Sequence, residues 1–374
     1  MKRVQIVTNR LQEGGGIESV VQDVSWAFKR LDWEIAVTTV FGKEDHCNPY
    51  VNHLVSLCPH GTNWEYLWRR GFWELVLSWH LRKTQKKYDL LLIAHARLLR
   101  VLRLLSDRPR PKRCAWIYGL EVWGKNAESS VPFLNRVDRV ASISQFTADQ
   151  VICEGLDTPV SIIPCSVDTS VFTPTQDTNR IRFYEVLISG RMSSKQRDKG
   201  HEVLFRSIRR TEDLLGHKIK VRVVGSGEDA NRLMQVARDL RLSDRVEFTG
   251  RLPRSELIEA YQHCGVFCMP TPLDESDSGS WNGEGFGIVY IEAAACGRPV
   301  IASCEGGAPE TIRHEETGLL VNPRSIHSIS NAIATILSDK QIAEEMGRRG
   351  RNFVEQKYSR ERFLERFAEF LSVF

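Results

Sequence analysis

The chain has 374 residues, 42% hydrophobic and 26% charged, enough apolar content for packed cores and too much for wholesale disorder. At about 150 residues per domain, that length predicts two domains. The formal net charge is only +4, yet 13 Lys and Arg stand against 4 Asp and Glu between Trp64 and Arg113, so the basic character belongs to one region of the N-terminal half.

The N-terminal "MKRVQIVTNR" runs straight into a strand with no long apolar leader. Short apolar runs then alternate with helical periods almost to the end. The first series of predicted strands is "VQIVT" (4–8), "EIAVTTV" (34–40), "DLLLIA" (89–94), "CAWIYG" (114–119), "RVASIS" (139–144) and "VSIIP" (160–164). The second is "EVLISG" (185–190), "KVRVVG" (220–225), "RVEFTG" (245–250), "VFCMP" (266–270), "RPVIAS" (298–303) and "GLLV" (318–321). Helical periods cover Ile17–Leu31, Gly200–Leu215 and Asp229–Leu240. This alternation predicts an α/β protein of parallel sheets covered on both faces, and two series imply two doubly wound Rossmann-like domains.

The polar, Thr-rich "DTSVFTPTQDTNRIR" has neither period and marks the break, giving domains 1–172 and 173–357. The tail, 358–374, carries Phe363, Phe367, Phe370 and Leu371 at helical spacing and is expected to pack back on the first domain. Nine cysteines make no CxxC pair, and Cys264 and Cys268 lack the company of a metal site, so reduced thiols in a cytoplasmic protein are expected. No run reaches about 18 uninterrupted apolar residues, although contact with a membrane surface stays open.

In doubly wound sheets, ligands sit at the carboxyl ends of strands, where the next helix begins. "QEGGGIE" brings Gly14, Gly15 and Gly16 to such a helix start, where glycine backbone and helix N-terminus suit an anion. The triplet equally fits a tight turn, and it is neither a GxGxxG nor a Walker sequence. "SGRMSSKQRDKG" offers Arg191 and Lys199 as a phosphate clamp, or simply as a solvated basic loop. "NGEGFGIVYIEAAACGRPV" sets Glu284 before, and Glu292 within, a short apolar helix with Gly297 as C-cap. Its first free amides run from about Phe286 to Val289 and are expected to face the neighbouring domain. The eight-residue offset is about 80° of rotation, so the two carboxylates need not diverge widely. Carboxylates accept sugar or ribose hydroxyls, while amides suit phosphate; the other reading is a terminal charge plus an incidental core glutamate. "EGGAPETI" (305–312) is a further strand-to-helix loop whose glycines permit close approach.

Taken in order, "GGGIE", "SISQFTADQV", "IIPCSVDTSVF", "SGRM…KGHEVL", "VVGSGED", "VEFTGRL", "GEGFGIVYIEAAACGRPVIAS" and "GGAPETI" resemble the retaining glycosyltransferases of family 4, of the Glu-x7-Glu type. The resemblance spans nearly the whole chain and is densest from Val186 to Leu320. It implies the GT-B fold, two doubly wound Rossmann-like domains facing across a cleft, the N-terminal one (1–172) on the acceptor side and the C-terminal one (173–357) binding the nucleotide sugar. It also implies transfer of a hexose from a nucleoside diphosphate sugar, of GDP-mannose or UDP-glucose type, with retention at the anomeric carbon. The acceptor would be a glycan, a lipid-linked sugar or a small molecule, and no metal or other cofactor would be needed. Arg191 and Lys199 would hold the donor diphosphate, Glu292 the ribose hydroxyls and Glu284 the transferred sugar. Amides of Gly285, Phe286, Gly287 and Ile288 would complete the donor site. Gly16 would let the first-domain loop close over the phosphates, and the base would lie along Val246–Arg251, with Arg251 at its end.

In "CAWIYGLEVWG" many members of that family carry His where Tyr118 stands, a position that would neighbour the reacting carbon. Tyr118 donates a hydrogen bond but does not titrate near neutral pH, so either its backbone carbonyl acts or the arrangement differs. Cys165-Ser166 replaces an Asn-Gly of the pattern, which bears on turn shape only. The Tyr118 departure keeps two other readings in view: a nucleotide-sugar-binding or regulatory protein without transfer, and a nucleotide-sugar epimerase.

Two stretches fall outside the resemblance. The acidic "LDESDSG" (273–279) reads as a solvated insertion, or as a determinant of donor or acceptor choice. "NWEYLWRRGFWELVLSWHLRKTQKKYD" carries Trp64, Trp68, Trp73 and Trp79 among Arg69, Arg70, Arg82, Lys83, Lys86 and Lys87. It suits an anionic membrane interface, or a core-packed helix with a solvated charged face. No reader motif for nucleic acid accompanies the charge.

Overall fold

The computed structural model describes residues 1–9, 15–41, 48–58, 72–105, 111–193, 199–276, 279 and 281–374. Gly14, Trp64, Trp68, Arg69 and Arg70, with the middle of "SGRMSSKQRDKG" and part of "LDESDSG", lie outside the described residues. The chain divides into two compact units, Met1–Cys165 with Phe363–Phe374, and Ser166–Arg362.

The first unit holds seven strands: β1 (Arg3–Thr8), β2 (Glu34–Phe41), β3 (His53–Cys58), β4 (Leu90–Ile93), β5 (Lys112–Ile117), β6 (Arg139–Ser142) and β7 (Val160–Ile162). They form one parallel sheet in the order β3-β2-β1-β4-β5-β6-β7. All of β4 and most of β1 and β5 are buried, which is why those strands read as continuous apolar runs. β3 is one of the two edge strands, β7 being the other. It buries little, so "HLVSLC" lacks the apolar run that marks its neighbours and was not among the expected strands. Near the C-terminus of the chain, Phe367 meets Phe28 edge-on at 4.8 Å between ring centroids and lies 6.1 Å from Trp116 on β5. Phe363, Phe367 and Phe370 are buried, and burying each such ring is worth about 2–3 kcal/mol.

The second unit repeats the plan. β8 (Arg182–Ser189), β9 (Lys220–Val224), β10 (Val246–Gly250), β11 (Cys264–Met269), β14 (Val300–Ser303) and β15 (Gly318–Val321) form a parallel sheet ordered β10-β9-β8-β11-β14-β15. Between β11 and β14 lies a small antiparallel hairpin, β12 (Asp274–Glu275) and β13 (Trp281–Asn282), where only a loop was expected. Ser166–Phe172, expected in the first domain, belongs to this second unit. The cause is Arg351, in the helix Lys340–Lys357: its guanidinium donates to the carbonyls of Thr169 at 2.8 Å, Ala295 at 2.6 Å and Phe172. Tyr358, expected to open the tail helix, is also buried here and donates to the Glu310 carbonyl; the helix itself runs Arg360–Leu371.

In each sheet the strand order reverses once, between β1 and β4 and between β8 and β11. The crevice at the carboxyl ends of such a pair is where doubly wound sheets bind ligands. Among the described residues no helix is long and apolar enough to cross a membrane.

Candidate functional site

Three loops meet at the switch point of the second unit. After β8 come Gly190 and Arg191, and Lys199 precedes the helix His201–Leu215. After β11 the chain reaches Glu284 and the helix Ile288–Ala295. After β14 come Glu305, Gly306 and Gly307. Two glycines bring these loops into backbone contact. Gly200 has φ +77°, and a Cβ there would lie 2.4 Å from the Pro270 carbonyl oxygen. A Cβ on Gly307 would lie 2.0 Å from the Gly285 carbonyl oxygen. Larger residues would therefore push the loops apart. Gly307 also donates its N–H to the Glu284 carbonyl at 2.8 Å, which fixes the backbone of that glutamate.

The side chains converge on this frame. Lys199 Nζ donates to Glu284 Oε2 at 2.8 Å, with both side chains mostly buried. The first-turn amides of the helix Ile288–Ala295 have no intrahelical acceptor and lie next in the chain. That helix starts at Ile288, Gly287 being its N-cap, so the free amides centre on Ile288 and Val289; Tyr290 N–H already bonds the Gly287 carbonyl. At the far end Cys296 is the cap residue and Gly297, at φ +72°, is the left-handed residue after it. Phe286 contributes backbone only: its ring is buried against Tyr358, centroids 5.4 Å apart.

Glu292 lies lower on the same helix and accepts the Tyr261 hydroxyl at 3.0 Å. Burial, then the Glu292 charge, pushes the Tyr261 phenol well above its ordinary pKa, so it stays a donor and fixes the carboxylate. Arg191 and Arg251 are exposed at the ends of β8 and β10. The rim between them is stitched by Gly190 N–H to the Val224 carbonyl at 3.0 Å and Gly225 N–H to the Gly250 carbonyl at 2.9 Å. Two strand spacings put those backbones about 10 Å apart, the scale of a diphosphate with its attached ribose.

In the first unit, Gly16 opens the helix Gly16–Arg30, and a Cβ there would meet nothing within 4 Å. Tyr118 follows β5. Its N–H donates to Glu121 Oε1 at 2.6 Å, closing the turn, while its hydroxyl is buried without a hydrogen-bond partner among the described residues. Burial pushes the Tyr118 phenol well above its ordinary value, with Glu121, Cys165 and Glu18 adding to it. Burial likewise raises the Glu121 carboxyl, against the pull of the N–H groups it accepts from Tyr118, Glu121 and Gly119.

Sequence reasoning passed over His95, one strand away after β4. Its Nδ1 accepts the Arg97 N–H at 3.2 Å, and burial, then Arg97, pushes it down to about 4, so the ring is neutral with its proton on Nε2. It also passed over Tyr261. Neither residue sits in a motif: His95 is brought to its place by strand order, and Tyr261 by the packing of the helix Arg254–His263 beside the helix that carries Glu292. Among the described residues, no group of three or more His, Cys, Asp or Glu is placed to hold a metal ion.

Comparison with known proteins accounts for nearly the whole length. The family described as "Glycosyl transferases group 1" matches residues 180–353, and "Glycosyltransferase Family 4" matches residues 14–171. A GDP-mannose-dependent alpha-(1-6)-phosphatidylinositol monomannoside mannosyltransferase of Mycobacterium tuberculosis is 31% identical over 287 residues, 72% of this chain and 73% of that one. A D-inositol 3-phosphate glycosyltransferase of Corynebacterium jeikeium is 29% identical over 53% of this chain and 49% of its own. Among solved structures, sucrose-phosphate synthase from Thermosynechococcus elongatus superposes with a TM-score of 0.81 at 20% identity, covering 100% of this chain and 98% of that one. Anabaena HepE, in complex with UDP and glucose, gives 0.80 at 18% identity over 100% of both chains. The chain belongs to the family 4 glycosyltransferases and has the GT-B fold.

Proposed function

We propose that the protein transfers a hexose from a nucleoside diphosphate hexose to a hydroxyl of a glycan, lipid-linked or small polyol acceptor, with retention at the anomeric carbon. The observation that carries this reading is the Lys199–Glu284 pair at the switch point, beside the amides of Ile288 and Val289. As the sugar–phosphate bond breaks, charge grows on the leaving diphosphate. Arg191, Lys199 and those amides stabilise it in the transition state more than in the ground state, which lowers the barrier. These groups supply the whole of the charge compensation in this reading, and no metal is given a part. Glu284, paired with Lys199, accepts hydroxyls of the transferred hexose. Glu292, oriented by Tyr261, accepts the ribose hydroxyls. The base lies along Val246–Arg251.

The relatives named as GDP-mannose-dependent favour a guanosine donor and a mannose. A thermal-shift series with GDP, UDP and ADP, followed by product analysis with GDP-mannose, tests this. GDP should stabilise most, and anomeric NMR should show an α-mannosyl product. Stabilisation by UDP alone would replace the donor, and binding without turnover would leave a nucleotide-sugar-binding protein.

A surface feature supports a second, compatible reading. The helix Phe72–Thr84 exposes Phe72, Leu75 and Trp79 on one side, 39%, 57% and 60% accessible, with Lys83 3.6 Å over the Trp79 ring and Arg82 adjacent. Apolar and cationic residues in that arrangement suit an anionic lipid surface. Co-sedimentation with vesicles should rise with phosphatidylglycerol content and fall with salt; indifference to both would reject the contact.

A further inference from the structure

Tyr290, on the helix Ile288–Ala295, takes no part in the chemistry above, yet it is fully buried at the centre of the second unit's crevice loops. Its hydroxyl donates to the Met269 carbonyl at 2.8 Å, at the end of β11. The same carbonyl accepts the Thr271 N–H at 3.0 Å, which closes a three-residue turn at Pro270. Burial, then the charge of Glu284, pushes the Tyr290 phenol well above its ordinary pKa, so it stays a donor.

Each end of this side chain bears on one member of the Lys199–Glu284 pair. The turn that the hydroxyl fixes stands behind Lys199. A Cβ on Gly200 would lie 2.4 Å from the Pro270 carbonyl oxygen and 2.8 Å from Pro270 Cγ, so the residue after Lys199 rests directly on Pro270. Met269 Sδ and Lys199 Cγ each lie 3.6 Å from the point where a Cβ of Gly190 would stand, which sets the thioether and the lysine stem around the same backbone. At the other end, the Tyr290 ring lies against Gly287. A Cβ there would meet Tyr290 Cε2 at 2.2 Å, and the same point is 3.2 Å from Glu284 Cγ. Gly287, at φ +92°, therefore has room for hydrogen alone. The phenol spans from the backing of Lys199 to the backing of Glu284, so a change at either end alters the spacing of the pair. That spacing decides where a sugar–phosphate bond lies between a cation on the phosphate and a carboxylate on the sugar, and a misplacement of about 1 Å lowers the rate by up to about 100-fold.

We propose that Tyr290 is the positioning residue that sets the spacing of Lys199 and Glu284, its hydroxyl fixing the lysine side through Met269 and its ring the glutamate side through Gly287. This rests on the glycosyl-transfer reading above. The test uses the full chain and the nucleoside diphosphate hexose that gives turnover. Turnover is referred to the fraction of protein that binds nucleoside diphosphate in calorimetry, so that partial unfolding does not count as lost kcat. Tyr290→Phe keeps the ring and removes the hydroxyl; it should lower kcat about tenfold, with donor KM and nucleoside diphosphate affinity within about twofold of the wild type. The same substitution made in Lys199→Ala and in Glu284→Ala should change their residual kcat by less than about twofold, because the pair that Tyr290 positions is already broken. An unchanged kcat in Tyr290→Phe would overturn the proposal. So would the same tenfold fall in all three backgrounds, which marks a loss independent of the pair, and so would a Tyr290→Phe chain with no binding-competent fraction, which places the residue in the fold and not in the site. Failure of the wild type to bind any nucleoside diphosphate would instead overturn the underlying reading.

Discussion

Lys199 and Glu284, 85 residues apart in the chain, meet in a 2.8 Å ion pair at the carboxyl ends of β8 and β11. The two strands are neighbours in the sheet, and the order reverses between them. A cation that can grip phosphate and a carboxylate that can accept sugar hydroxyls thus share the crevice where doubly wound sheets bind ligands.

Glu292 should act on the ribose through a geometry set by Tyr261. Tyr261→Phe removes the 3.0 Å hydrogen bond and should weaken nucleoside diphosphate binding about threefold to tenfold. Glu292→Ala should weaken it further. Calorimetry with a 2′,3′-dideoxynucleoside diphosphate checks the assignment: wild type and Glu292→Ala should then bind alike. A persistent difference would mean that Glu292 serves something other than the ribose.

Tyr118→Phe removes a hydroxyl that is buried without a hydrogen-bond partner. A group in that state costs about 1–3 kcal/mol, so the variant should unfold at equal or higher denaturant concentration than the wild type. The raised phenol pKa has a second consequence. Stability linked to Tyr118 is fully present below the unfolded-state value of about 10 and falls as pH rises above it, because the unfolded chain ionises first. Urea melts from pH 8 to 11 should show a shallower alkaline decline in Tyr118→Phe.

Acid should destabilise the protein before its carboxylates titrate. His201, buried behind Lys199, is pushed down to about 4 by burial, then by Lys199 and Arg232, against Asp229; His95 is likewise at about 4. Unfolded histidine titrates near about 6.5, so between those values the unfolded state binds more protons and stability falls as pH drops. Melting temperature should decline from pH 6.5 to 4, less steeply in His201→Gln. A flat profile in the wild type would contradict neutral burial of these rings.

Arg351→Ala removes three charge-assisted bonds to the carbonyls of Thr169, Phe172 and Ala295. The expected loss is about 3–5 kcal/mol of unfolding free energy for the second unit, read from its denaturant transition. A shift below about 1 kcal/mol would mean that water replaces the guanidinium at little cost.

The central strands were readable because parallel strands covered on both faces are apolar throughout, as "DLLLIA" and "VFCMP" are. β3 was not: "HLVSLC" is broken by His53 and Ser56 and buries little, whereas the other edge strands, β7, β10 and β15, keep a readable apolar pattern. The loops carrying Arg191, Lys199 and Glu284 were readable because each follows a strand and opens a helix. Their pairing was not, since an 85-residue separation becomes 2.8 Å only through strand order. His95 was missed for the same reason, and Tyr261 because its reach to Glu292 depends on how the helix Arg254–His263 packs. The hairpin at Asp274–Asn282 was hidden by its polar sequence, because what holds it is Arg324, about 50 residues on.

The most direct measurement of the central claim is turnover of the nucleoside diphosphate hexose by wild type, Lys199→Ala and Glu284→Ala, with melting temperatures recorded alongside. Each variant should fall by about 100-fold to 1000-fold in kcat, with melting within a few degrees of the wild type and nucleoside diphosphate binding retained in Glu284→Ala. Turnover near wild type in both folded variants would contradict the account.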